Sequence, residues 1–345
     1  MNIYVGAARW TGGTLGGVFR QTADGGGWDR LARGLPDAIQ VQAIAVPPQQ
    51  PEVVYLGADD GVYRSEDAGA AWQRLGVPRD LQVWSVLVHP ANPRVLYAGT
   101  SPLGVLCSDD GGDTWRWNRI AAPERVKMSF ACRVMRLAVD PAHPEHVYAA
   151  LEVGGVMRSL DAGETWEDCA AELAAFSGRR PDLRSRIQSD NDAEGMLDAH
   201  ALCVSAARPG TVFLAVRMGV FRSDDRGASW SDLEVGRFAP FTYARDIRVS
   251  PHDPRVLFAC LSPASRSEDG ALYRSDDLGM TWTRVDRGIK AQATMMAVGL
   301  HAREPAGICC ISRCGQVFST RDGGGRWRES RLPVAVQDVY AVACA

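Results

Sequence analysis

The 345-residue chain has no apolar run of transmembrane length, no excess of either charge and only six histidines. Without such a run no helix is expected to cross a bilayer. With 38 basic against 41 acidic residues the formal net charge is -3, which gives no bias toward polyanions. No basic stripe interleaved with aromatics is present, so no nucleic-acid partner is expected. The opening MNIYVGAARW has neither a positively charged n-region nor an apolar h-region, and the expectation is a cytoplasmic protein with no membrane partner. Phosphate-cradling motifs are missing as well. The glycine clusters at 12–17, 25–27 and 323–325 read as hairpin turns; none carries GxxxxGK or precedes a helix, and no cofactor is expected. Nine cysteines, an odd number with scattered spacing, read as reduced thiols serving as small apolar residues. Cys309, Cys310 and Cys314 look clustered, but neighbours on a strand point to opposite faces. Five histidines, His89, His143, His146, His252 and His301, fall around turns, and no metal is expected.

What is present is repetition. Five copies of SxDxGxxW span Ser65–Trp72, Ser108–Trp115, Ser159–Trp166, Ser223–Trp230 and Ser275–Trp282. Two variants, Thr22–Trp28 (one residue short) and Thr320–Trp327, bring the total to seven. A fixed period of this size marks a repeat fold in which each unit buries its face against the next. Ser, Thr and Asp can bond backbone N–H groups in a tight turn, Gly supplies a positive φ, and Trp anchors the turn to an apolar layer.

The phrase resembles the Asp-box of the bacterial neuraminidase repeat superfamily, over essentially the whole chain. That superfamily includes sialidases, xyloglucan hydrolases, sorting receptor ectodomains and a photosystem assembly factor, all β-propellers. The resemblance implies a propeller in which the box is a structural turn remote from the ligand site. Changing Asp109 or Trp115 is therefore expected to cost stability rather than specific activity.

Before most boxes stands VxAIAVxPxxPxxVYxGxxxGVYRS, which reads as short antiparallel strands A to C, with the box as the turn into strand D. Six copies of strand A precede boxes. The first box lacks one, and Val339–Cys344 (VYAVAC) has its character. The expected fold is thus all-β: a single seven-bladed propeller of four-stranded blades over 1–345, its first blade closed by the C-terminal strand, which seals the sheet edge.

In such blades the A–B and C–D turns share one face, and the B–C and D–A connections share the other. Aligning the A strands places Gln42, Trp84, Met135, His200, Arg245, Met296 and Tyr340 in one layer at that second face. Two residues earlier lie Gln40, Gln82, Arg133, Asp198, Tyr243, Thr294 and Asp338, and two residues inward an apolar layer runs from Ile44 to Val342. The B–C loops add Asp59, Ser101, Glu152, Arg217, Ser262 and Arg313, with Arg9 and Trp10 nearby. Arginines Arg133, Arg217, Arg245 and Arg313 beside Trp84, Tyr340 and Asp338 suit a small anionic or polar ligand held against an aromatic wall. If these charges only neutralise one another and leave no cavity, an enzyme is excluded.

The longest departure from the period lies between Trp166 and Trp230, 64 residues apart where 43 to 52 is otherwise seen. The excess, 168–197, joins blades four and five on the mouth face and carries Arg179, Arg180, Arg184 and Arg186. It is expected to be a lid or a docking element for a protein partner.

Two functions compete. Resemblance to sialidases implies an enzyme in which Arg133, Arg245 and Arg217 or Arg313 clamp a carboxylate, Tyr243 or Tyr340 pairs with Glu152, and Asp198 or Asp246 is the acid, with His200 as a further catalytic candidate. Sialidases, however, have six blades and an Arg-Ile-Pro signature, which this chain lacks, and xyloglucan hydrolases work between two propellers. A hydrolase-like or lyase-like reaction on an anionic or carbohydrate-like small molecule is the first expectation. A non-catalytic binding or assembly propeller, similar to the photosystem assembly factor, is the alternative.

Overall fold

The computed structural model describes residues 1–9, 14–23 and 25–345. Trp10 and the first box's Asp24 lie outside them. Seven antiparallel four-stranded sheets form, each ordered A to D from the axis outward. Blade two shows the plan: Val41–Ala45, Val54–Ala58, Gly61–Ser65 and Gln73–Arg74. Each A strand packs against the A strands of both neighbouring blades, and the circuit closes from blade seven onto blade one. Blade one takes its A strand, Val339–Cys344, from the C-terminus, paired with Ile3–Ala7 in the register Ile3↔Cys344 and Val5↔Val342. Asn2 and Ala345 exchange backbone bonds of 2.6 and 3.0 Å beyond it. The seven-bladed ring and its C-terminal closure agree with the repeat pattern.

Burial follows the interfaces between blades. Tyr55, Val62 and Leu75 of blade two pack with Leu96, Ala98 and Leu106 of blade three, and Phe213 and Ala215 of blade five with Ile247 and Ala259 of blade six. Both faces of strand B are covered, which explains its near-continuous apolar run. The glycine of VYxG has a steric cause: a Cβ on Gly57 would lie 2.8 Å from Val83 Cγ1, and on Gly99 2.5 Å from Val134 Cγ1, both on the next blade's A strand.

Six of the boxes, those from Ser65 onward, are hydrogen-bonded knots. In blade four the Ser159 hydroxyl donates to Asp161 (2.7 Å) and accepts the Gly163 N–H (2.8 Å), while Asp161 accepts the Thr165 N–H (2.8 Å). Trp166 Nε1 donates to the Gly163 carbonyl at 3.1 Å. These bonds hold the box carboxylates below the usual range, led in Asp161 by its bond from Thr165. The residue between Asp and Gly takes a positive φ, 57° at Ala68 and 58° at Ala162, and its carbonyl turns toward the preceding blade. There it accepts a guanidinium from strand C: Arg20 to Ala68 at 2.9 Å, Arg64 to Gly111 at 3.0 Å and Arg158 to Arg226 at 2.9 Å. The arginine of VYRS therefore fastens blade to blade. One expectation is corrected here: the turn carboxylate of the second full box is Asp110, which accepts the Thr114 N–H, whereas Asp109 is exposed and only 3.6 Å from Arg116.

Candidate functional site

All seven A strands break register at one position. Partner residues skip Gln42, Trp84, Met135, His200, Arg245, Met296 and Tyr340 in turn, as when Ala244 pairs Leu261 and Asp246 pairs Cys260. These are the residues that the alignment of the repeats puts in one layer. A bulged residue leaves the ladder and its side chain is re-aimed, and here all seven line one cavity on the propeller axis. The volume open to a water-sized sphere is about 30 Å³. That is room for roughly one or two waters, and the mouth is much narrower than the sequence expectation of a ligand pocket.

The two outer circles of mouth residues are one circle of partners. In blades two, four and five the start of strand A faces its own B–C loop through the same backbone bond, from Asp59 to Gln40, Glu152 to Arg133 and Arg217 to Asp198. The side chains pair in the same way. Gln40 donates to Asp59 at 3.1 Å, Arg133 lies 2.7 Å from Glu152, and Arg217 contacts Asp198 at 2.8 Å. Arg313 reaches across to Asp338 of blade one, at 2.9 Å. Three of the four mouth arginines are thus neutralised by buried or half-buried carboxylates.

His200 is held at both ring nitrogens. Nδ1 lies 2.7 Å from the Ala244 carbonyl; Nε2 is 3.3 Å from Asp198 and 3.4 Å from the Tyr243 hydroxyl. Burial opposes ionisation of Asp198, but His200, Arg217 and Arg245 together bring its pKa down to about 2. Burial pushes Glu152 the other way, above the usual carboxylate value, against the pull of Arg133. Tyr243 and Tyr340 are raised, chiefly by burial. Arg217 stacks on Tyr243 with 5.4 Å to the ring centre, and Arg133 on Trp84 with 4.1 Å. Trp84 meets Tyr340 edge-on at 6.2 Å.

Arg245 stands apart. Partly exposed in the cavity, it has no hydrogen bond or ion pair among the described residues, and its guanidinium carbon sits 5.9 Å from the Tyr340 ring. Of the twelve candidate site residues singled out from the sequence, the structure brings all but Asp246 to the mouth, and among the four mouth arginines only Arg245 has no carboxylate partner among the described residues. Asp246, the alternative acid of the sequence reading, belongs to an ion network that the reading missed. Asp246, fully buried just inside the bulge, binds Arg136 at 3.1 Å, Arg248 at 3.2 Å and the Val298 N–H at 3.1 Å, spanning blades four, six and seven. Its signal was a charge amid small residues at one position, Ala43, Ser85, Arg136, Ala201, Asp246, Ala297 and Ala341. Repeats keep such a layer polar only where partners meet across the axis.

The 168–197 segment is folded. Asp168 ends strand D, then come helices α1 (Ala171–Arg179) and α2 (Glu194–Leu197). Leu173, Leu183, Met196 and Leu197 are buried against Val216 and Phe221 of blade five. Glu194 accepts the N–H groups of Ile187, Gln188 and Ser189. Its arginines are paired locally, Arg179 with Glu172, Arg180 with Asp182, and Arg186 with Asp192.

Fold and mouth together define a seven-bladed, box-fastened propeller with a narrow polar axis. No protein-family model matches the chain. A xyloglucanase of Hypocrea jecorina is 22% identical over 338 residues, covering 91% of this chain and 36% of that protein. Among solved structures, the GH74 xyloglucanase of Xanthomonas campestris superposes with a TM-score of 0.62 at 18% identity, covering 84% of this chain and 45% of that one. YCF48 bound to D1 peptide superposes with a TM-score of 0.53 at 14% identity, covering 84% and 80%. The chain thus spans about a third of the curated xyloglucanase it matches (36%). Among the described residues no helix is long and apolar enough to cross a membrane.

Proposed function

We propose that this chain is a partner-binding propeller that receives an acidic group at the channel mouth, anchored by Arg245. The observation that supports this is the contrast among the arginines. Arg133, Arg217 and Arg313 are matched by Glu152, Asp198 and Asp338, whereas Arg245 is unmatched among the described residues and faces the cavity. A guanidinium presents a planar fork that fits a carboxylate, and Tyr340 and Trp84 supply the wall beside it. Because the cavity measures about 30 Å³, only the acidic end of a ligand enters and its body rests on the rim. A propeller of similar fold has been solved bound to a peptide, which fits an acidic peptide as the partner.

Hydrolysis is the second reading, supported by the xyloglucanase relatives and by Glu152 and Asp198, whose environments move their pKa values apart as an acid and a base require. Against it, both carboxylates are held by arginines, and ligand pockets usually measure about 300 Å³ or more.

The test is binding of the intact chain to arrayed acidic and neutral peptides, wild type against Arg245→Met, with turnover of xyloglucan oligosaccharides measured in parallel. Acidic peptides retained by wild type, lost in the variant, with no turnover, is the expected result. No preference for acidic peptides, or turnover that Glu152→Gln abolishes, overturns the reading.

A further inference from the structure

On the box face, remote from the mouth, blade four departs from the other blades in its A–B turn. In blades three and seven the turn is capped by a histidine: His89 Nδ1 accepts the Ala91 and Asn92 N–H groups at 3.2 Å, and His301 Nδ1 those of Arg303 and Glu304 at 3.1 and 2.9 Å. Blade four puts Asp140 in that place, and its Oδ1 caps the turn through Ala142 N–H at 2.9 Å. The two histidines that follow are thereby released from capping. On a regular strand residues three apart point to opposite faces. Here Val139 pairs Val147 while Asp140 pairs His143, so Pro144, Glu145 and His146 bulge out of the ladder. The bulge brings the two imidazoles to one side, stacked with ring centres 4.9 Å apart.

We propose that Asp140, His143 and His146 form a binding site for a divalent transition metal of the zinc class. One donor atom from each lies within 4.8 Å of the others, and Asp140 Oδ2 is 3.6 Å from His143 Nδ1. Tetrahedral zinc with bonds near 2.0–2.2 Å needs donors about 3.4 Å apart. The His143 side chain is 47% exposed, free to rotate and close the remaining gap.

Two further observations point to a ligand. His146 is 7% exposed, yet its buried Nδ1 has no hydrogen-bond partner among the described residues. Asp140 is fully buried, and its Oδ2 is already oriented by the Gly210 N–H of blade five at 3.2 Å, the kind of outer support that fixes a ligating carboxylate. Burial lowers the His146 pKa, which favours the neutral, coordinating form, and the adjacent charges of Glu145 and Arg226 oppose one another. Two imidazoles and one carboxylate form a donor set that suits zinc and leaves a coordination position toward solvent. Because Gly210 belongs to the next blade, metal at this site braces the junction of blades four and five.

The test is titration of the intact, histidine-tag-free chain with Zn²⁺ alone by calorimetry, with melting curves and Co²⁺ absorption in parallel. One Zn²⁺ per chain is expected, with Tm raised by about 3–4 °C at a hundredfold excess over Kd. His143→Ala should weaken binding at least tenfold without moving the metal-free Tm, and His146→Gln should do the same provided it folds. Absence of binding, unchanged affinity in His143→Ala, or a thiolate-to-cobalt band placing the ion on a cysteine such as the exposed Cys314 overturns the assignment.

Discussion

Two arginines on the same mouth should respond in opposite ways to loss of charge. Arg217→Met removes the bonds from Nε and Nη2 to Asp198 Oδ2, 3.0 and 2.8 Å long. It leaves a carboxylate that is 5% exposed with His200, at 3.3 Å, as its remaining ion-pair partner among the described residues. Breaking a buried pair costs about 3–5 kcal/mol. Arg217 is 23% exposed, and partial solvent access together with the surviving histidine brings this to about 2–3 kcal/mol. An unfolding entropy of roughly 2.1 cal/mol/K per residue over the 345-residue chain converts that to a Tm loss of about 3–4 °C. Arg245→Met breaks no hydrogen bond or ion pair among the described residues and removes only a longer-range field at Asp198 and Glu152. Its Tm should stay within about 1 °C, while affinity for an acidic peptide falls by about 2 kcal/mol, roughly thirtyfold. Calorimetric melts and fluorescence anisotropy measure the two. Equal Tm losses would refute the distinction, since Arg245 would then be a structural partner; unchanged affinity would refute its role as anchor.

The remaining predictions concern the frame. Ser108→Ala leaves the buried Gly112 N–H without its 2.9 Å acceptor and should cost about 1–3 kcal/mol, whereas Asp109→Ala should leave Tm within about 1 °C; the reverse order would misplace the box. The box carboxylates Asp67, Asp110, Asp161, Asp225, Asp277 and Asp322 and the mouth's Asp198 are all lowered from 3.8. Depressed carboxylates stabilise above their unfolded value and lose that contribution as pH falls through the folded one. Glu152, raised by burial, acts in the opposite sense, its contribution being lost as pH rises from 4.5 through its higher folded value, so the steep drop in Tm from pH 4 to pH 2 comes from the lowered carboxylates; a flat profile in that range contradicts the knots. Leu173→Ala, at a fully buried position of α1, should cost about 2–4 kcal/mol if the 168–197 segment is packed wall, and a melt within 1 °C of wild type would restore a mobile lid.

Much of this protein is legible one repeat at a time. The Ser, Asp, Gly and Trp of the box encode a local turn, and local turns set blade number, register and the face on which strand A begins. The VYAVAC tail could be assigned to blade one because a four-stranded blade with three strands leaves an open edge. The membership of the axial layer was legible too, since aligned positions of a repeat stay equivalent in space.

Tertiary structure decided whatever depends on who meets whom. No local pattern shows that the layer residues are bulged, because a skipped ladder partner is a property of two strands. Nor does it show that Arg133, Arg217 and Arg313 are neutralised while Arg245 is not, since pairing is settled by distances between loops and blades. His143 and His146, which the sequence places only near a turn, are brought to one side by the bulge at 144–146. Covalent sequence sets periodicity because it acts through neighbours along the chain; charge pairing, cavity size and metal geometry depend on a few ångströms between segments that only the closed ring brings into contact.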